Sequence, residues 1–94
     1  ERSDSWGYDI KYREDKNSEW QFVEVKSFYN GNFYFTKTEL RFAKKNPNKY
    51  YFYLVEENKI LTILFSNLLE ENGELNYNND YFNIEVKDYK FTRI

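Results

Sequence analysis

Ninety-four residues make one domain with a modest core, and no stretch is long and apolar enough to cross a bilayer. Because the chain has no cysteine and no histidine, disulfide frameworks, zinc sites and His-based triads are excluded, leaving carboxylate, lysine, tyrosine and hydroxyl groups for chemistry. The net charge of −2 argues against a general nucleic-acid coat, and the 22% aromatic content favours strands.

In chain order, residues 6–13 read as a first strand, the polar run Glu14-Asp15-Lys16-Asn17-Ser18 as a turn, and residues 19–26 as the hairpin partner. In that second strand Glu24 and Lys26 are two residues apart and so point to the same face. Asn30-Gly31-Asn32 marks a turn, and Phe33-Tyr34-Phe35 a short third strand. A helix is predicted over 36–46. Thr36 and Glu39 form a capping box, Phe35 and Leu40 a hydrophobic staple, Lys44 and Lys45 complement the dipole, and Asn46-Pro47-Asn48 ends it. Residues 49–56 and 59–65 are near-continuously apolar and are expected to be central, doubly covered strands. One helical turn is expected at Ser66 to Glu70, loop to residue 80, and a single closing strand over 81–92.

Charge is segregated. Residues 37–49 carry five basic side chains against Glu39 alone, whereas residues 56–80 carry six acids and only Lys59. Lys37, Arg41 and Lys44 on the basic helix are candidates to contact nucleic-acid phosphates, the simpler alternative being a solvated helix face. The chain also lacks methionine and a signal-peptide pattern, which leads us to expect a soluble, cytoplasmic segment of a longer protein.

An acid followed two positions later by lysine occurs six times, beginning at Asp9, Glu14, Glu24, Glu57, Glu85 and Asp88, so spacing alone decides nothing. Only Glu24 lies mid-strand among apolar residues with a second acid, Asp9, on the preceding strand. A charge buried there is costly unless paired or metal-bound. Asp9, Glu24 and the backbone carbonyl of Val25 suit Mg²⁺, with Mn²⁺ as an alternative, and Lys26 beside them suits orientation of a water or stabilisation of developing negative charge. The plainer alternative is a strand-to-strand salt bridge.

Gly7-Tyr8-Asp9-Ile10, Phe22-Val23-Glu24-Val25-Lys26, Thr36-Lys37-Thr38-Glu39-Leu40 and Tyr51-Phe52-Tyr53-Leu54-Val55, in that order, resemble the protein NO VEIN C-terminal domain family, which is related to the PD-(D/E)XK nuclease superfamily. The resemblance implies an α+β (α/β) restriction-endonuclease-like core. A mixed sheet would carry the helix 36–46 on one face, and the first helix of the core would be missing from this chain. It implies Asp9 and Glu24 as metal ligands and Lys26 as the catalytic lysine. Glu39 matches an acidic motif position, although the capping box explains it without catalysis. The expected function is Mg²⁺-dependent DNA cleavage in a restriction or defence system, alongside ATPase or helicase modules. Two alternatives are a non-catalytic module that binds DNA or a partner subunit, and a structural piece of a homo-oligomer.

Overall fold

The computed structural model describes residues 6–87 and 89–94. Its elements are β1 (Ile10–Tyr12), β2 (Gln21–Ser27), β3 (Asn32–Tyr34), α1 (Lys37–Lys45), β4 (Tyr50–Val55), β5 (Ile60–Leu64), a 3₁₀ turn (Phe65–Leu68), β6 (Phe82–Glu85) and β7 (Lys90–Arg93). Two sheets form. The first is mixed, in the order β1-β2-β4-β5, with β2 and β4 parallel and the other pairs antiparallel. The second, β3-β7-β6, is antiparallel throughout.

The parallel β2–β4 pair requires a crossover, which β3 and α1 supply. Phe22, Glu24 and Lys26 of β2 are in register with Tyr50, Phe52 and Leu54 of β4, so all six share one face. The helix covers part of it, with Phe42 4.7 Å from Phe22 and 6.0 Å from Tyr50 between ring centroids. The second sheet covers the rest. Phe33 and Phe91 lie 5.2 and 5.8 Å from Phe52. Phe28, Phe35, Phe65 and Phe82 join them in one aromatic core, each leaving 1% or less of its surface to water.

The helix agrees with expectation, including both arms of the capping box and the burial of Phe35 and Leu40 in the core. Four sequence readings are corrected. The first strand starts at Ile10, because Gly7 adopts φ +89, outside extended geometry, and Tyr8 packs inward against Phe22 and Phe42. The strands β4 and β5 are not doubly covered. In β4 buried Tyr50, Phe52 and Leu54 alternate with half-exposed Tyr51, Tyr53 and Val55, while β5 is an edge strand that exposes Ile60, Leu61 and Thr62. The stretch 81–92 is a hairpin, reversed through Val86, Lys87 and Tyr89, the last at φ +48. The third strand sits one residue early, at Asn32–Tyr34, and pairs with β7. The expectation that a first core helix is missing ahead of Trp6 falls on residues 1–5, outside the described residues.

Candidate functional site

The alternation of β2 sends Glu24 and Lys26 toward α1, and the first turn of α1 returns Glu39 to meet them. Lys26 Nζ lies 3.2 Å from Glu24 Oε2 and 3.0 Å from Glu39 Oε1, and its side chain is only 16% exposed. Glu39 is held from behind. Its Oε1 also accepts the Thr36 backbone N–H at 2.9 Å, while the Thr36 hydroxyl accepts the Glu39 N–H at 3.1 Å. Lys26 Nζ also lies over the Phe35 ring, 5.8 Å from the centroid.

Asp9 arrives from the other side. It directly precedes β1 at the position that continues the β1–β2 register opposite Glu24. Its N–H donates to the Val23 carbonyl at 2.9 Å, and its Oδ2 accepts the Val25 N–H at 2.7 Å. This bond ties the aspartate to the strand carrying Glu24. A second tie lies beneath, where the buried Tyr50 hydroxyl donates to the Gly7 carbonyl at 2.7 Å. Gly7 itself is fixed by space as well as by φ, since a Cβ there would stand 2.7 Å from Cβ of Phe42.

The cluster gathers more negative charge than Lys26 neutralises. Glu24 is 3% exposed. Burial first, then the adjacent carboxyl of Glu39 and the charge of Asp9, push its carboxyl from the ordinary 4.5 up to about 9, against a lowering by Lys26. Burial and the same three carboxylates raise the Tyr50 phenol far above its usual range, so it stays a protonated donor. Glu24 Oε1 is buried without a hydrogen-bond partner. A buried carboxylate oxygen in that position is satisfied by carrying a proton or by ligating a cation.

Asp9, Glu24, Lys26 and Glu39 are thus brought into one neighbourhood, with Val25, between Glu24 and Lys26, tied to Asp9 through its N–H. Among the described residues no group of three or more acidic side chains is placed as a metal cage. Lys37, Arg41 and Lys44 stand apart from this cluster. They line, with Leu40 and Tyr89, a groove of about 270 Å³ where α1 meets the β6–β7 turn. Lys44 is ion-paired to Glu74 at 3.3 Å. Sequence reasoning missed Tyr50, and gave Phe35 a staple role without its contact to Lys26. Tyr50 carried a signal, being the one tyrosine of the 50–54 run in phase with the buried Phe52 and Leu54.

Fold and side chains together define a small mixed α+β protein, with a mixed sheet, the helix α1 packed on it, and a buried Glu-Lys-Glu cluster flanked by an aspartate. Residues 1–64 match the family described as Protein NO VEIN, C-terminal, and the chain belongs to that family. The match takes in β1 to β5, α1 and the whole cluster. No curated protein and no solved structure matches the chain. No helix among the described residues is long and apolar enough to cross a membrane.

Proposed function

We propose that this domain is a Mg²⁺-dependent endonuclease-like module that hydrolyses DNA phosphodiester bonds, on a restriction-endonuclease-like core related to the PD-(D/E)XK nucleases. The observation that carries the reading is the unpartnered buried oxygen of Glu24, beside a lysine and next to an aspartate tied to the same strand. The donor set fits a hard cation, because carboxylate and carbonyl oxygens are the ligands Mg²⁺ and Mn²⁺ prefer. Asp9 and Glu24 would hold it, with the Val25 carbonyl as the third protein oxygen. Bound there, it supplies Lewis acidity to a phosphoryl group.

The chain's own residues do the rest. Lys26 donates a hydrogen bond toward an attacking water or a developing negative charge, and Glu39 aims that ammonium from the helix cap. Glu39 therefore acts through Lys26 and is a positioning residue. Service in a restriction or defence system, alongside ATPase or helicase modules, extends the same proposal to the longer protein.

A second reading has its own observation. Lys26 is already engaged by two carboxylates, and Asp9 by a backbone N–H, which is also how an inert module binding DNA or a partner subunit would be stapled. Cleavage of plasmid DNA with Mg²⁺ separates the two. Cleavage that vanishes in Lys26→Ala and Glu24→Gln supports the nuclease, whereas cleavage untouched by both substitutions refutes the assignment of these residues.

A further inference from the structure

On β1 and just after it, two cations that the cluster does not use are held against one indole. Lys11 Nζ lies 4.7 Å and Arg13 Cζ 4.3 Å from the centroid of Trp20. All three side chains are exposed, and among the described residues neither cation is ion-paired with a carboxylate. Arg13 makes only a long hydrogen bond, 3.4 Å, to the Lys16 carbonyl. Two like charges crowded on one ring repel each other. The arrangement suits neighbouring anions that neutralise both, while the ring limits the rotamers each must surrender on binding.

The position of this pair relative to Asp9 gives it meaning. Lys11 is in register with Phe22, which packs on α1, so Lys11 shares the face of Glu24. Arg13 follows two residues later, and Trp20 continues the Phe22–Glu24 row of β2. From Asp9 the backbone positions that carry these cations follow the sheet edge at about 6.8 Å per residue pair, while the charged groups themselves converge on Trp20.

From this geometry we infer that Lys11 and Arg13, braced by Trp20, form a phosphate-binding ridge that seats the DNA strand flanking the cluster. The inference rests on the proposed nuclease reading and names the surface on which its substrate is aligned. The ridge differs from the helix stripe of Lys37, Arg41 and Lys44, which lines a groove between α1 and the β6–β7 turn.

The test is binding of a short fluorescein-labelled DNA duplex by the full chain, followed by anisotropy over a series of salt concentrations without divalent metal. Wild type should show affinity that falls with salt. The Lys11→Ala/Arg13→Ala double variant should show a log–log slope shallower by about 2, since each phosphate that a cation neutralises adds about 0.9 to it. Trp20→Leu should weaken binding while leaving the slope near that of wild type. All these positions are exposed, and circular dichroism checks the fold. If wild type binds and the double variant binds with the same affinity and slope, the ridge is wrong while the nuclease reading stands. If folded wild type binds no DNA, both are overturned.

Discussion

Lys26 and Glu24, two residues apart on β2, form a 3.2 Å ion pair on the sheet face that is buried beneath α1. The strand period brings them together, and the N-terminus of α1 closes over them with Glu39. Removing Lys26 leaves two buried carboxyl groups facing each other with no counter-charge. Lys26→Ala is expected to cost about 3 kcal/mol, measurable by urea denaturation, in addition to abolishing cleavage. Lys26→Arg should recover part of the stability and little of the activity, since the planar fork does not place one donor as an ammonium does.

Stability should depend on pH through Glu24. Its pKa is raised in the folded state to about 9 from 4.5, so folding favours the protonated form. The contribution is full below 4.5 and is lost as pH rises toward 9. Thermal melts of wild type should therefore decline across that window. Glu24→Gln, neutral at every pH, should flatten the decline, and a wild-type melting temperature that rises steadily from about pH 5 to about pH 8.5 would contradict the burial of this carboxyl.

Much of this arrangement was legible in the sequence. Thr36 and Glu39 announced the cap, and the two-residue period announced that Glu24 and Lys26 share a face. Less visible was what depends on partners distant in sequence. Nothing local distinguishes an edge strand from a central one, so the apolar run of β5 looked doubly covered although it exposes Ile60 and Leu61. The closing stretch read as one strand because Val86-Lys87 lacks turn chemistry, and the reversal needs Tyr89 at φ +48, which a sequence pattern does not reveal. Glu39 was a candidate from its motif position, but its contact with Lys26 was not readable from the sequence. Its capping role accounts for the residue fully until β2 is placed alongside.

The cap itself can be separated from the cluster. Thr36→Ala removes the acceptor for the Glu39 N–H and should cost about 1 kcal/mol of stability. Glu39→Gln keeps a side-chain acceptor for the Thr36 N–H but discharges the partner of Lys26. It should leave the helix folded, as judged by circular dichroism, and shift the pH–rate profile of cleavage, which Thr36→Ala should not do.

The segment that carries Asp9 is fixed by Gly7 and Tyr50. Gly7→Ala must place a Cβ 2.7 Å from Phe42 while holding φ at +89, and is expected to destabilise by about 2 kcal/mol or more. Tyr50→Phe deletes only the hydrogen bond to the Gly7 carbonyl, at about 1 kcal/mol. Because that bond anchors the loop leading into Asp9, Tyr50→Phe should weaken Mn²⁺ affinity beyond what its small stability loss suggests.

Isothermal titration calorimetry with Mn²⁺ tests most directly whether Asp9 and Glu24 jointly hold a divalent ion. One saturable site is predicted in wild type, with a proton released as Glu24 ionises, so that the measured heat changes with the buffer's ionisation enthalpy; Asp9→Asn and Glu24→Gln should each abolish it. A folded wild-type protein that takes up no Mn²⁺, or variants that bind it as wild type does, would contradict the account.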